Sequence, residues 1–464
     1  MAGLFSGLEL GKKALATNQL WLNTIGHNIS NVNTPGYTRQ RVDISTTLPE
    51  PSTAGPVGTG VTATDIRNVR DLFLNQQYRY EMKNLGQWET MEKTLTQIEA
   101  TFSEPNSDSL GELLDKFWTG WMDLSNHPES TAARTALFEQ ANLLTAGFHR
   151  LYSRFEDLRE SVDTDIALTV NKVNQMATEI TALNKQIVRD EAGGDHANDL
   201  RDRRDYLIDL LSQYVDVNTA DRKNGAVAVQ IGSLTIADES TVTLLGTKEI
   251  VRDGVRINKV VWAGTDKEIR SLNGELKGLV ETRDKMIPGY MDNLDELARS
   301  VVTEVNNLHR NGIGLDGSTG LNFFTEPFVS AGKIEVSFMI KNDVTRIAAS
   351  LSGEVGDNTN ALAIAELRTS LIMTNGSATM GDFYNSIISR VGVETQKATQ
   401  LREDHQLLVE QVENSRQSVQ GVSLDEEMAN MIKYQHAFDA AARVITTIDQ
   451  ALEVVISGMG IVGR

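Results

Sequence analysis

The sequence predicts a mainly α-helical protein with a β-rich insert: terminal helices paired as an α-helical coiled coil, a long-helix body and a small outer β domain. Three observations lead there. Apolar residues recur every seven positions at both ends of the 464 residues. Three- and four-residue apolar spacing runs through most of the remainder. A β-branched stretch holding Asn-Gly and Asp-Gly pairs interrupts it near the middle.

At the N-terminal end, Leu8, Leu15, Leu22 and Ile29 form one seven-residue series. Leu4, Ile25 and Val32 occupy the neighbouring seam position, where Gly11 and Asn18 leave gaps. At the C-terminal end, Leu424, Met431, Phe438, Ile445, Leu452 and Met459 form an unbroken series. Met428, Ala442 and Ile456 accompany it on one side, and Tyr434, Ala441, Ile448 and Val455 on the other. Such repeats read as coiled-coil seams, each spanning roughly 45–60 Å of helix. An intramolecular bundle would give the same pattern. Placement at the extreme termini favours assembly, because an apolar strip repays its ordering only when another strip covers it.

The first helix is expected to stop at a motif comprising Asn28, Asn31, Thr34, Pro35, Gly36 and Tyr37. Thr34 is pushed out of the helical region by Pro35, and Pro35-Gly36 suits the centre of a type II turn. Asn31 and Asn33 tolerate left-handed backbone and can satisfy the last helical carbonyls. After the turn, residues from Thr38 to Thr46 alternate as a strand.

These two ends carry a resemblance. SGLELGKKALATNQLWLNTIGHNISNVNTPGYTRQRV resembles the N-terminal motif of bacterial flagellar axial proteins, and GVSLDEEMANMIKYQHAFDAAARVITTIDQALEVVISG resembles their C-terminal motif. The resemblance implies terminal helices that pair as a coiled coil and line the central channel of the flagellum.

The body then reads as a helix from Asp65 to about Phe102 and a break at Glu104-Pro105-Asn106. A shorter helix follows, capped by Ser107 or Ser109, with a boundary at Pro128. A long helix from about Ser130 to Asp190 is stopped by Ala192-Gly193-Gly194, and another begins near Asn198. VAVQIGSLTIADESTVTLL and DGVRINKVVWAG read as hairpins. Helix resumes from about Asn273 to His309, and a non-helical insert at 311–357 follows, with KIEVSFMIK as its clearest strand. From Thr359 helical text returns and dominates. The expected domains are discontinuous: 1–60 with 420–464 for coiled-coil polymerisation; 61–215, 268–310 and 358–419 as helical body; 216–267 with 311–357 as outer β-rich domain.

Within the family the resemblance narrows. FWTGWMDLSNHPESTAARTALFEQANLLTAGF, NDLRDRRDYLI and NNLHRNGIGLDGSTGLNFF look like the hook-associated protein 1 branch, which has a helical second domain and an outer β domain.

Composition and motifs argue against chemistry. Lys+Arg total 44 against 63 Asp+Glu, a net charge of −19, which repels phosphate backbones and speaks against nucleic acid. The absence of cysteine removes thiol catalysis, disulfides and thiolate-bound metals. MAGLFSGLELGKK has no basic region ahead of an apolar core, so no cleaved secretory signal is expected there, and no run of eighteen apolar residues suggests membrane insertion. GIGLDG at 312–317 matches a dinucleotide fingerprint literally but follows a helix, so a glycine-rich turn is the simpler reading. Asp199, Asp202 and Asp205 could form a carboxylate cluster, yet Arg201, Arg203 and Arg204 between them suggest ion pairs along the helix. The seven histidines show no ligand spacing. No catalytic, cofactor or metal residue is assigned.

The reading is a structural adaptor joining hook to filament through its terminal helices, with Leu8, Leu15, Leu22, Ile25, Ile29, Leu424, Met431, Phe438, Ile445 and Leu452 as the interface. The resemblance implies several partners: further copies in a helical assembly, the hook protein, the second junction protein, and an export chaperone on the C-terminal helix. It also implies secretion by flagellar type III export to the hook–filament junction. The alternatives are another axial subunit (second junction protein or hook), a wall-degrading enzyme with flagellar-type ends, and an unrelated coiled-coil scaffold.

Overall fold

The computed structural model describes residues 4–51, 55–102, 109–252, 255–269 and 272–459. The expected break at Glu104-Pro105-Asn106, the Ser107 cap and the Asp253-Gly254 turn lie outside the described residues, as does the Met459 side chain.

Helix α1 (Leu4–Ser30) runs antiparallel to α11 (Leu424–Met459). Between them in sequence, β1 (Gln40–Thr46) and β2 (Val61–Asn68) form an antiparallel hairpin packed on α1. Asp65–Asn68, expected as the start of a helix, is therefore strand. Its backbone is claimed by cross-strand pairs such as Val42 with Ile66 and Gln40 with Asn68, and local spacing does not reveal those partners.

Helix α2 (Leu72–Phe102) lies antiparallel to α10 (Met380–Gln420). Helices α3 (Leu110–Asn126) and α4 (Thr131–Asp190) start at caps: Ser109 accepts from the Glu112 N–H and Ser130 from the Ala133 N–H. Helix α4 has 60 residues, about 90 Å of rod, and ends in a short 3₁₀ turn closed by left-handed Gly194 (φ 96°). Helix α5 is Asn198–Tyr214. A three-stranded meander, β3 (Val217–Asp221), β4 (Val227–Ile231) and β5 (Leu234–Ala237), and a ribbon of β6 (Leu245–Arg252) and β7 (Val255–Trp262) follow.

These strands dock on α4 through side chains that imitate a neighbouring strand. Asn184 gives its Nδ2–H to the Val227 carbonyl (2.9 Å) and takes the Val227 N–H on Oδ1 (3.0 Å). Asn174 does the same with Leu245 (2.9 and 2.8 Å). Each closes a backbone pair that burial would otherwise orphan.

Helices α6 (Gly274–Glu281) and α7 (Ile287–His309) are joined by a π-helical turn at Thr282–Met286. The 311–357 segment departs from its β-rich expectation: its described residues hold isolated bridges, the short α8 (Phe338–Asn342) and 3₁₀ turns. KIEVSFMIK is not a strand. Ile334 and Val336 point inward and Phe324 bridges Val336, but Ser337 then caps α8 by accepting from the Met339 N–H. The segment packs on the helices instead, where Asn306 holds the Phe323 and Phe324 N–H groups (2.9 Å each). GIGLDG is a turn with Gly317 at φ 84°. Helix α9 (Thr359–Glu366) precedes α10, which a Thr379–Asp382 capping box starts.

One apolar core runs through α2–α7, α9 and α10 and takes in the inner faces of the strands. The buried Ile25, Val42 and Ala441 of the terminal unit lie outside it. No helix among the described residues is long and apolar enough to cross a membrane.

Candidate functional site

The terminal helix pair closes along one face of each helix. On α11, Met431, Tyr434, Ala441, Ile445, Ile448 and Leu452 are buried or half-buried, so the seam pairs the expected series with its Tyr434 side. On the Met428 side, Met428 and Ile456 are exposed and Ala442 is half-buried; Leu424 of the series, Val455 of the Tyr434 side and the neighbouring Ile432 are exposed as well. On α1, Gly7, Gly11, Trp21 and Asn28 touch α11. Gly7 and Gly11 lie so close to Ile448 and Ile445 that an added Cβ would come within 2.9 and 2.6 Å of them. The rings of Trp21 and Tyr434 stack with centroids 4.6 Å apart. Ile25 is fully buried.

Leu8, Leu15, Leu22 and Ile29 are partly buried along the edge of this seam. They flank it on the side opposite the β1–β2 hairpin, whose connecting loop holds Lys13 Nζ through the Thr59 carbonyl (3.3 Å). Helical geometry puts this row on the same side of the pair as Leu424, Met428 and Ile432. The expected residues thus divide. Ile25, Met431, Phe438, Ile445 and Leu452 face the partner helix, while Leu8, Leu15, Leu22, Ile29 and Leu424 lie at the rim. Gly7 and Trp21 escaped the sequence reading, and Gly11 was taken only as a gap in the seam, because a search for large apolar repeats passes over glycine and Trp21 lies off the seven-residue series; the four-residue Gly-Gly interval was the available signal.

The stop motif is a polar joint. Asn28, 1% exposed, donates from Nδ2 to the Gln40 carbonyl (2.9 Å) and to Glu427 Oε2 (3.2 Å). Its Oδ1 accepts from the Tyr37 hydroxyl (2.7 Å) and the Gln40 N–H (2.9 Å). One side chain thereby ties the end of α1 to β1, to the turn and to α11. Pro35-Gly36 forms the expected turn, with the Tyr37 N–H on the Thr34 carbonyl (3.1 Å) and Gly36 at φ 77°. Gly36 also lies against Tyr206 of α5, where a Cβ would meet a side-chain carbon at 2.6 Å. Asn31 donates to the His27 carbonyl (3.1 Å), as expected of a stop, and takes the Thr34 hydroxyl on Oδ1 (3.1 Å). Neither Asn31 nor Asn33 is left-handed, because side-chain and 3₁₀-type bonds already close the helix end. Burial, with Asp199, Asp202 and Glu427 nearby, raises the Tyr37 hydroxyl well above its ordinary pKa, so it stays a donor.

The α5 carboxylates complete the joint. Asp202, buried, accepts from the Thr38 N–H (2.9 Å), the Thr38 hydroxyl (2.6 Å), Asn68 and Arg70. Asp205 pairs with Arg70, and Asp199 takes Gln40 Nε2 (2.8 Å) and His27 Nε2 (3.1 Å). This corrects the reading of ion pairs along the helix. Only Arg204 touches a member of the set, the adjacent Asp205. Arg201 pairs with Glu191 and Arg203 with Glu179. No grouping able to hold a metal ion exists among the described residues. Arg39 bridges to α11 through Glu427 (2.7 Å) and Glu426 (2.9 Å).

An antiparallel pair of terminal helices anchored by a polar joint on a helical body is the arrangement expected of a flagellar axial protein. Family models agree with that class. "Flagella basal body rod protein" matches residues 8–38, "Flagellar hook-associated protein FlgK helical domain" 95–324, and "Flagellar basal body rod FlgEFG protein C-terminal" 414–457. Flagellar hook-associated protein 1 of Bacillus subtilis is 33% identical, with all of both chains covered. Its counterpart in Salmonella typhimurium is 25% identical over 95% of this chain and 97% of that one. The flagellar hook junction protein FlgK of Burkholderia pseudomallei shares the fold, with TM-score 0.65 and 14% identity, over 74% of this chain and all of that one. The chain belongs to the flagellar hook-associated protein 1 family and is a structural protein of the hook–filament junction.

Proposed function

We propose that the chain joins hook to filament by polymerising through its terminal helix pair. The observation that carries this reading is the apolar rim of that pair: Leu8, Leu15, Leu22 and Ile29 with the exposed Leu424, Met428 and Ile432. The seam of Ile25, Met431, Phe438, Ile445 and Leu452 holds the two helices together, and the rim meets neighbouring subunits. Burial of that rim supplies the driving force, at roughly 25 cal/mol per Å² of apolar area. Contacts of this kind are heterologous, because head-to-tail interfaces build open helical assemblies.

The neighbours are further copies, the hook protein and the second junction protein. Before assembly an export chaperone covers the exposed apolar positions of α11, and the chain leaves by flagellar type III export. The work is association and not catalysis, with no cofactor. Residues 1–60 and 420–464 act as the polymerising unit. The helical body carries 216–267 as its outer β unit, and the short helical turns and isolated bridges of 311–357, in place of a sheet, support grouping that segment with the body.

The test adds labelled protein to purified hooks lacking filaments and images them by electron microscopy. A thin labelled layer at the distal tip is expected. Growth into a long tube would mean a hook-like subunit, and folded protein that does not bind would overturn the adaptor mechanism.

A further inference from the structure

The loop end of the β1–β2 hairpin carries an apolar knob. Leu48 is 88% exposed, and Pro49, Pro51, Pro56 and Val57 are exposed beside it. Its backbone is already ordered. Glu50 and Val57 exchange N–H···O bonds (2.9 Å each), and the Thr59 hydroxyl donates to the Leu48 carbonyl (2.6 Å). Pro49 and Pro51 restrict the residues before them to extended backbone. A groove of about 350 Å³ lies at the joint, where the turn after α1 meets α2, α5 and α10. Pro35, Tyr37, Tyr78, Met82, Tyr206 and Leu210 form its apolar lining, and each is exposed or half-buried. The Tyr37 hydroxyl is engaged with Asn28, but those of Tyr78 and Tyr206 make no hydrogen bond among the described residues. The charges around the groove are matched: Arg416 lies over the Tyr78 ring (4.3 Å) and pairs with Asp209 (2.8 Å) and Glu413 (3.3 Å).

We propose that the knob of one copy seats in the tyrosine groove of the next. Aromatic grooves favour proline-bearing extended segments. Ring faces pack on pyrrolidine rings, and free hydroxyls donate to carbonyls that an extended chain leaves unbonded. The order already present in the knob lowers the entropy lost on seating. One chain cannot make the contact by itself. Gly60, near the knob, lies against Leu10, and Tyr37, in the groove, bonds to Asn28. Those two α1 positions are about 27 Å apart along the helix. Knob and groove are different surfaces, so each copy offers the knob to one neighbour and the groove to another, which builds an open stack. The contact rests on the head-to-tail reading above for its partner, and adds to the rim a second place where copies meet.

The chain contains no cysteine, so an introduced thiol is unique. Full-length chains with Leu48→Cys are mixed with full-length chains with Asn33→Cys, an exposed position in the groove. The mixture is assembled on purified hooks and treated with a short bismaleimide. A cross-linked dimer of the two chains is expected, about tenfold or more above the yield when Val393→Cys, exposed far along α10, replaces Asn33→Cys. Assembled chains that do not cross-link, or that cross-link equally to both positions, would overturn the contact. Failure to assemble belongs to the adaptor reading, and the groove is then read in solution. Full-length chain carrying ¹³C-methyl methionine is titrated with N-acetyl-Thr-Thr-Leu-Pro-Glu-Pro-amide, the sequence of residues 46–51. A saturable shift of the Met82 methyl resonance, assigned with Met82→Leu, is expected. The same peptide with Leu48→Asp should bind about tenfold more weakly or worse. Chains with Leu22→Asp should bind the peptide unchanged, which separates loss of the rim from loss of the groove. No saturable shift, or equal binding of the two peptides, would overturn the seating.

Discussion

His309 shows how a single buried side chain sets a pH dependence. Its Nδ1–H donates to the Leu321 carbonyl (2.7 Å) and Nε2 accepts the Ala348 N–H (2.9 Å), which fixes a neutral tautomer. Burial, aided by nearby Arg134, lowers its pKa from 6.5 to about 4. As pH falls, the unfolded chain takes up this proton first, so the stabilisation is complete above pH 6.5 and declines toward pH 4. The loss should reach about 2 kcal/mol near pH 5. Urea unfolding at both pH values measures it. In His309→Asn the neutral-pH stability should be lower while this decline disappears; an unchanged decline would assign it to other groups. At the joint, Asn28→Ala removes four hydrogen bonds in a buried site and should cost about 3 kcal/mol locally. Gly36→Ala, which meets both a positive φ and Tyr206, should cost about 1–3 kcal/mol. For both, amide exchange should accelerate across residues 28–46 while α4 stays protected.

The element scale separates what local sequence encodes from what it does not. Helix ends were legible because caps and breakers act within a few residues: Ser109, Ser130, Gly194 and the Pro35-Gly36 turn all work through adjacent backbone. The Val61–Asn68 strand was read partly as helix, and KIEVSFMIK as strand, because their partners are distant or their caps outweigh alternation. The aspartates of α5 carried the right signal with the wrong partner. Asp202 binds Thr38, 164 residues away, and no spacing rule foretells that. Such docking by a few polar groups should be separable from the core. Asp202→Ala leaves Arg70 with a buried charge and only Asp205, a cost of about 3–5 kcal/mol. Hydrogen exchange is expected to rise in β1 and β2 and remain low in α4 and α7. Uniform loosening of the whole chain would show that the hairpin and the core fold as one cooperative unit.

At the scale of the molecule, the separation of seam from rim makes a specific claim about assembly. Seam residues such as Phe438 hold α1 to α11 within one chain, whereas the rim is free to meet another chain. Ile432→Asp places a charge at an exposed position of the rim, where it stays hydrated, so monomer stability should change by about 0.5 kcal/mol or less; Leu22→Asp, at a half-buried position, should cost about 1–2 kcal/mol without opening the pair. Incorporation at hook tips should nevertheless be lost, because the charge would be desolvated against a neighbouring subunit. Phe438→Asp acts on the seam itself and should both open the helix pair and block incorporation. Thermal unfolding by circular dichroism and electron microscopy of labelled junctions separate the two classes. If Leu22→Asp and Ile432→Asp assemble normally, the rim is not the contact between subunits. If they unfold the terminal pair as Phe438→Asp does, seam and rim are one structural unit and the division drawn from helical geometry does not hold.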